Sequence, residues 1–328
     1  MSNLPNRNLA LEFVRATEAA ALAAAKWIGR GDKEAGDQAA VDAFRLLLNS
    51  IRMDGVIVIG EGEKDNAPML FNGEHVGAGQ GVAVDIALDP VEGTTLLAKG
   101  TNGAIAVVAI AQRGAMWQPG AAFYMDKLIV GPAAAGKVDL DAPVRDNLQA
   151  VAAAKGVNVA ELTVVLLDRP RNAEKIAAVR AAGGRARLIS DGDVAPALMT
   201  ALPDTGIDVV MGIGGTPEGV ITACAMRCMG GEIQGRLAPQ LATEKARLLA
   251  DGVDIGRKLT TQDFVSGDDH FFAATGITNG NFLRGVRYDQ RGAVTHSLVM
   301  RSKSGTWRTI ESHHCWDRLT DISVIPYR

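Results

Sequence analysis

The spacing of apolar residues changes along the chain, and each spacing predicts a kind of element. Near the N-terminus, apolar residues recur every three or four positions, which predicts a first helix that ends at Gly29 and Gly31 and a second helix over residues 38–51. Asp37 stands at the start of the second helix, where an aspartate usually caps the helix by accepting a backbone N–H bond. A continuous β-branched run predicts a buried strand at residues 56–59, and further strands are predicted at residues 82–88, 104–110 and 124–130.

From about residue 162 the chain alternates strand-like and helix-like segments. Strands are predicted at residues 162–167, 186–189 and 207–211, each followed by a helix, at residues 172–182, 193–202 and 216–229. Such a series predicts a largely parallel sheet with right-handed crossovers, hence the α/β class. From Phe264 onward, strand patterns alternate with glycine turns. We place a boundary near Glu161, between α/β domains over residues 1–161 and 162–328.

Composition narrows the class of protein. The 328 residues include 34 Lys and Arg against 37 Asp and Glu, and the net charge of −3 argues against a partner that is nucleic acid or an anionic membrane. The longest apolar run, residues 104–111, is shorter than a membrane span, and residues 1–7 show no secretory signal. Three cysteines without a CxxC pair favour a reducing compartment, so we expect a cytoplasmic protein.

Carboxylates gather where predicted strands end. Glu61 and Glu63 follow one strand, while Asp85, Asp89 and Glu92 lie on or just past another. Ligands of α/β sheets bind at the carboxyl ends of parallel strands. Carboxylates that converge there would repel one another unless a hard cation such as Mg²⁺ or Mn²⁺ were bound between them. The alternative is that each acid merely ends a strand in solvent.

The sharpest local motif is DPVEGT at residues 89–94. The proline sets Asp89 in extended geometry at the strand end. Gly93 allows the backbone to approach a ligand closely, and the free N–H groups of the following helical turn can bind a phosphate. Thr94 supplies a hydroxyl that could orient an attacking water or deprotonate it with the help of a carboxylate.

Two later segments suit a sugar phosphate. Arg169 and Arg171 flank a proline at a strand end, and two guanidinium groups held close together suit a phosphate dianion. The alternative is that they are two solvated arginines at the start of a helix. Asp191 and Asp193 could accept sugar hydroxyls, and Asp193 could instead cap a helix. The glycine-rich turn at residues 212–215 lacks both GxGxxG and the P-loop lysine, so a nucleotide or dinucleotide site is a weak alternative.

Taken together, these motifs resemble those of the metal-dependent sugar phosphatases of the fructose-bisphosphatase and inositol-monophosphatase superfamily, and are most similar to the bacterial class II fructose-1,6-bisphosphatases. The resemblance extends over residues 9–319 and rests on WIGRGDK (27–33), IGEGE (59–63), DPVEGT (89–94), KLIVGP (127–132), DGD (191–193) and GIGGTPEG (212–219). It implies a layered α/β/α/β/α fold with two sheets. Gln38 departs from the family pattern, in which a glycine follows the aspartate that corresponds to Asp37.

The resemblance also implies roles for individual residues. Thr94 would be the catalytic threonine, with Glu61 and Asp89 as catalytic carboxylates. The implied metal ligands, for Mg²⁺ or Mn²⁺, are Asp37, Glu61, Asp89, Glu92 and Glu218. The implied substrate contacts are Glu92, Gly93, Thr94, Tyr124, Arg169, Pro170, Arg171, Asp191, Gly192, Asp193 and Gly215. Metal binding would then fall to the domain of residues 1–161, with substrate contacts added by the domain of residues 162–328.

The expected reaction is hydrolysis of the C1 phosphate of fructose 1,6-bisphosphate, in gluconeogenesis or Calvin-type carbon metabolism, by a homo-oligomer of two or four chains. One alternative is activity on sedoheptulose 1,7-bisphosphate, alone or in addition, because the two sugars share the reacting end. An alternative of another class is a non-catalytic sugar-phosphate sensor, which would be expected to have lost a metal carboxylate or Thr94; this chain keeps them all.

Overall fold

The computed structural model describes residues 8–61 and 70–322 and places the strands in two sheets. The first sheet contains β1 (Met53–Ile59), β2 (His75–Val76), β3 (Val82–Glu92), β4 (Ile105–Gln112), β11 (Phe271–Gly276), β12 (Arg287–Tyr288), β13 (Gly292–Arg301) and β14 (Thr306–Cys315). The second sheet contains β5 (Tyr124–Val130), β6 (Thr163–Leu167), β7 (Arg185–Ile189), β8 (Val209–Gly215), β9 (Glu232–Leu237) and β10 (Leu259–Thr260).

Helices cover both sheets and fill the space between them. They are α1 (Ala10–Ala25), α2 (Lys33–Ser50), α3 (Thr94–Lys99), α4 (Val144–Lys155), α5 (Ala173–Ala181), α6 (Val194–Met199), α7 (Thr216–Met229), α8 (Ala242–Ala250), α9 (Thr261–Phe264) and α10 (Trp316–Ile322). Helix α1 packs on the first sheet and α2 packs on α1, whereas α7 contacts strands of both sheets. Apolar side chains of α4 and α5 cover the other face of the second sheet. The layers therefore follow the predicted α/β/α/β/α order.

No helix within the described ranges is both long enough and apolar enough to cross a membrane.

The second sheet is mixed rather than largely parallel. Its order is β10-β9-β5-β8-β6-β7, in which β7, β6 and β8 are parallel. Strand β9, which follows α7, runs in the same direction as β8. The antiparallel strand β5, which comes from earlier in the chain, lies between β8 and β9. The prediction of a largely parallel sheet is wrong because no local pattern reveals that β5 is inserted here.

The two sheets are not successive halves of the chain. Strand β5 precedes residue 161 and belongs to the second sheet, while β11 to β14 follow residue 161 and belong to the first. A boundary at residue 161 therefore does not separate the sheets. The two connections between the sheets run side by side, since the N–H of Trp117 donates to the carbonyl of Phe264 at 2.8 Å.

Helix α2 begins earlier than predicted. It starts at Lys33 rather than at residue 38, and its N-cap is Asp32, whose side chain accepts the backbone N–H of Ala35 at 3.0 Å. The prediction that Asp37 caps this helix is therefore wrong. Because Asp32 already caps the helix, Asp37 lies inside it, where its side chain can face the ends of the neighbouring strands.

Candidate active site

Segments from both sheets meet around one cavity of about 370 Å³. The strands β3, β6, β7 and β8 end there, and β5 begins there because it runs antiparallel to β8. The cavity is lined by Asp89, Glu92, Gly93, Phe123, Tyr124, Leu167, Arg169, Arg171, Asp191, Gly192, Asp193, Gly215, Pro217 and Glu218. Both sheets therefore contribute to a single polar site, as expected for ligand binding at the carboxyl ends of strands.

Most of the predicted site residues line this cavity, and a few lie outside its lining. Four predicted residues lie outside the lining: Asp37, Glu61, Thr94 and Pro170. Thr94 and Pro170 are next in sequence to lining residues, and the charges of Asp37 and Glu61 raise the pKa of Asp89, which lines the cavity. Glu63 lies outside the described residues.

Asp85 lies elsewhere. Its carboxylate accepts the backbone N–H of Met116 at 3.2 Å and lies 3.6 Å from Nε of Arg113. The expectation that Asp85 joins the other acids at the strand ends is thus wrong. Asp85 lies within β3, and its carboxylate makes these polar contacts away from the end of the strand where the cavity lies.

The end of β3 turns sharply into α3. Strand β3 continues through Pro90 to Glu92, with a shift of register against β4 between Asp89 and Glu92. Asp89 Oδ1 accepts the N–H of Val91 at 2.9 Å, which fixes the carboxylate at this irregularity. Gly93 then adopts φ 93°, a left-handed conformation that favours glycine, and α3 begins at the next residue. This turn brings two carboxylates and a helix start to the same wall.

Glu92 is buried and only half satisfied. Its side chain is 2% exposed, and Oε1 accepts the N–H of Val194 at 3.1 Å. The other oxygen, Oε2, is buried without a hydrogen-bond partner among the described residues. Burial and the nearby charge of Asp193 raise the pKa of Glu92 well above its ordinary value. Such an oxygen is suited to a ligand that carries positive charge.

Four further carboxylates with raised pKa values lie at this end of the sheet. Asp37 and Glu61 lie close enough to share a hydrogen bond; burial raises the pKa of Asp37 to about 6 and, together with the charge of Asp37, that of Glu61 to about 8. Burial and the charge of Glu61 raise the pKa of Asp89 well above its usual range, and burial raises that of Glu218. Negative charge is therefore concentrated here beyond what the protein itself neutralises.

This donor set fits a hard divalent cation in its chemistry. All of the groups are carboxylate oxygens, the ligands that Mg²⁺ and Mn²⁺ prefer. Buried oxygens of Asp37, Glu92 and Glu218 also lack partners within the described ranges. No three acidic, histidine or cysteine side chains in the described part of the chain are gathered tightly enough to hold an ion as they stand. A cation would therefore draw these carboxylates closer together.

Lys127 contacts two predicted site residues, and the sequence did not single it out as a site residue. It lies in β5, its side chain is almost fully buried, and its Nζ is 2.6 Å from Asp193 Oδ2 and donates to the carbonyl of Gly215 at 3.0 Å. Its charge also lowers the pKa of Glu218, against the larger effect of burial. A lysine within a strand whose next residues, Leu128 to Val130, are all apolar is the signal that could have identified it, because a buried cation needs an acidic partner.

The segment before α6 holds two aspartates in different ways. Asp193 occupies the N-cap position but makes no capping bond, since its carboxylate pairs with Lys127 instead. Asp191 Oδ2 accepts the N–H of Thr95 at 3.1 Å, so this segment is bonded to the first turn of α3. Lys33 reaches the same turn from α2, donating to Thr95 Oγ1 at 2.9 Å.

Two arginines form the cationic side of the cavity. The guanidinium of Arg171 lies over the ring of Tyr124, 4.4 Å from its centroid, and its Nε donates to the carbonyl of Ile213 at 3.1 Å. Arg169 donates to the carbonyl of Ser190 at 2.6 Å. These contacts leave further N–H groups of each guanidinium for a bound anion. The cavity therefore has an acidic wall and a basic wall.

Comparison with known proteins gives a consistent result. The family described as bacterial fructose-1,6-bisphosphatase, glpX-encoded, matches residues 7–314. The chain is 47% identical over 325 residues to "Fructose-1,6-bisphosphatase 1 class 2" of Escherichia coli K12, covering 95% of this chain and 96% of that protein. The proteins named "Fructose-1,6-bisphosphatase class 2" of Escherichia coli O6:H1 and of Shigella flexneri match to the same extent.

Proposed function

Because the chain belongs to the family of bacterial, glpX-encoded fructose-1,6-bisphosphatases, we propose that the cavity between its acidic and basic walls is the active site of a sugar bisphosphatase. The enzyme hydrolyses fructose 1,6-bisphosphate to fructose 6-phosphate and inorganic phosphate. The observation that carries the assignment of the site is that unneutralised carboxylates and two arginines face one cavity. A molecule with a phosphate at each end requires both kinds of wall.

The acidic wall would hold the reacting phosphate through divalent cations. The proposed ligands of Mg²⁺ or Mn²⁺ are Asp37, Glu61, Asp89, Glu92 and Glu218. Bound there, the cations would polarise the phosphoryl group and lower the pKa of the attacking water. Burial raises the pKa of Glu61 to about 8, and a bound cation would favour its ionised form at neutral pH.

The chain's own groups would orient the reaction. Thr94 begins α3 directly after Gly93, which lines the cavity, so its hydroxyl can receive a hydrogen bond from the attacking water. The water's proton would pass to the carboxylate of Glu61 or Asp89 as its oxygen attacks phosphorus. The bond from phosphorus to the C1 oxygen breaks, and that oxygen takes a proton from solvent. The transition state is loose, so positioning matters more than covalent chemistry.

The basic wall would hold the phosphate that is not cleaved. Arg171 is fixed by the ring of Tyr124 and by a backbone carbonyl, so its guanidinium is oriented before a ligand arrives. Charge-assisted bonds from such a group are directional and favour a phosphate dianion. Asp191 and Asp193 line the same cavity and would accept hydrogen bonds from hydroxyl groups of the sugar. The site would thereby select bisphosphates over monophosphates.

Phosphate release from a panel of substrates tests this function. We expect release from fructose 1,6-bisphosphate with Mg²⁺ or Mn²⁺, little release from fructose 6-phosphate, and none after EDTA treatment. A sedoheptulose 1,7-bisphosphate arm measures whether the longer sugar is also accepted. Arg180→Ala is a matched control, because Arg180 is exposed on α5 and does not line the cavity. Equal rates on mono- and bisphosphates would contradict the assignment of the basic wall.

We also propose a cytoplasmic location and assembly into a homo-oligomer of two or four chains. The location is supported by Cys224, Cys228 and Cys315, which form no disulfide. The oligomer rests on the resemblance to the family alone.

A further inference from the structure

A second cavity lies behind the wall of the active site. Its volume is about 460 Å³, within the range of sites for small molecules, and it lies among α3, β7, α6 and the residues 280–283. Much of its lining is apolar, including Leu96, Ile105, Val165, Ile189, Met199 and Ile207. A cavity of this size and character suits a ring-sized apolar body.

The charged groups at the second cavity are mainly basic. Lys99, at the end of α3, and Arg187, in β7, are both exposed, and neither side chain makes an ion pair or hydrogen bond with another described residue. Asp191 is the one carboxylate among the lining residues, and its Oδ2 already accepts the N–H of Thr95. Two unpaired cations beside an apolar cavity are suited to an anion that carries an apolar body.

We infer that the second cavity is a binding site for a small organic anion with an apolar, ring-sized body. The body would lie among the apolar side chains, and the anion would lie between Lys99 and Arg187. The amides of Asn102 and Asn281 line the same cavity and can donate to or accept from polar groups of the ligand. This ligand differs from a sugar bisphosphate, which has no apolar part.

The second cavity communicates with the active site through a shared wall. Asp191 and Gly192 line both cavities. The backbone of Gly192 is packed so closely that a Cβ there would lie 2.8 Å from Glu92 Oε2 and 3.5 Å from Leu96 Cδ1. A ligand that presses on Leu96 or on this wall therefore alters the position of Glu92 and of the helix that begins at Thr94. This effect on turnover rests on the proposed function, whereas binding at the second cavity does not.

Binding of naphthalene-1-sulfonate, an apolar ring body with one anionic group, tests the site without any assay of activity. Equilibrium dialysis of the full chain should show saturable binding of one probe per chain. The double variant Lys99→Gln/Arg187→Gln should weaken binding by about 10-fold, the effect of one charge-assisted hydrogen bond. The neutral analogue 1-naphthalenemethanol should bind the double variant and the unchanged protein equally. Ala195→Phe, which fills the cavity from α6, should abolish binding of both probes.

Three results would overturn the inference. The first is probe affinity that neither the charge variant nor the filled variant changes. The second is binding lost in Arg171→Ala and kept in the charge variant, because the probe would then lie in the active site. The third is a KM for fructose 1,6-bisphosphate that is the same with and without saturating probe. This result would refute communication through the shared wall, and the binding measured by dialysis would still test the second cavity as a binding site. The exposed charge variant keeps the test decisive if Ala195→Phe does not fold.

Discussion

Lys127 Nζ and Asp193 Oδ2 lie 2.6 Å apart in an ion pair that is almost completely shielded from water. The lysine comes from β5 and the aspartate from the segment before α6, so the pair joins two parts of the wall beneath the active site. Removing one partner of a buried ion pair leaves the other charge without compensation, and this is more costly than removing both.

Lys127→Met should therefore destabilise the protein by about 3–5 kcal/mol. Urea unfolding measures this change. The double variant Lys127→Met/Asp193→Asn should recover part of the loss, because the charge of Asp193 is then not left without its partner. If the single variant unfolds like the unchanged protein, the pair has no structural role.

Arg169→Ala/Arg171→Ala should raise KM for fructose 1,6-bisphosphate far more than KM for any monophosphate that is turned over. A charge-assisted hydrogen bond contributes about 1.5–3 kcal/mol, so the rise should be at least about 10-fold. Arg171→Lys keeps the charge but loses the planar group over Tyr124 and should give an intermediate value. Equal effects on both classes of substrate would mean that the arginines do not contact the uncleaved phosphate.

Thr94→Ala should lower kcat by about 100-fold or more while KM stays within a few-fold, the pattern of a group that acts mainly in the transition state. Thr94→Ser keeps the hydroxyl and should retain measurable activity. Steady-state kinetics on the three proteins separates an enzyme from a sensor. Normal turnover by the alanine variant would leave Thr94 as no more than the first residue of α3 and move water activation to Glu61 or Asp89.

In EDTA, the free energy of unfolding should fall as the pH rises from about 4.5 to about 8. Glu61 has a raised pKa of about 8 in the folded protein against an ordinary value of 4.5, so over this interval the folded state binds more protons than the unfolded state. The stability that Glu61 contributes below its unfolded-state pKa of 4.5 is thus lost as the pH rises through its folded-state pKa of about 8. Glu61→Gln should flatten the curve, and urea unfolding at several pH values measures both slopes. An identical slope in the variant would contradict the assignment.

Added Mg²⁺ or Mn²⁺ should raise the thermal unfolding midpoint of the unchanged protein at pH 8, since a ligand that binds only the folded state stabilises it. Asp89→Asn should lose much of this rise because a charged oxygen ligand becomes a neutral amide. It should also unfold at a higher temperature than the unchanged protein in EDTA, because repulsion within the carboxylate cluster is relieved. A full response to the cation in Asp89→Asn would exclude Asp89 as a ligand.

The strands were predictable where local pattern decides them. The β-branched run at residues 56–59 lies in β1, because continuous apolar residues favour burial on both faces. The strand predicted at residues 124–130 is β5, although Asp126 and Lys127 interrupt its apolar residues. The position of β5 within the sheet was not predictable, since the strands beside it come from much later in the chain. Strand pairing at such distance depends on tertiary packing, which leaves no periodic signal.

The site residues divide in a similar way. Asp89, Glu92 and Gly93 were found because proline and glycine fix the backbone around them. Asp85 was misplaced because its contacts to Met116 and Arg113 arise only when distant segments pack together. Glu218 lies in the first turn of α7, where an acidic residue is favoured by the helix dipole alone. Its position therefore did not identify it as a member of the carboxylate cluster, and only the family resemblance did.

The return of the chain to its first sheet has a consequence for synthesis. Strand β4 ends at Gln112, and its neighbour β11 begins only at Phe271. While a ribosome is making the intervening residues, one edge of β4 has no partner, and its apolar side chains lack the cover that the later strands provide. An unpaired, apolar edge readily joins another chain. Premature termination before Phe271 should therefore yield aggregates rather than a smaller soluble domain, and the nascent chain is most vulnerable during that interval.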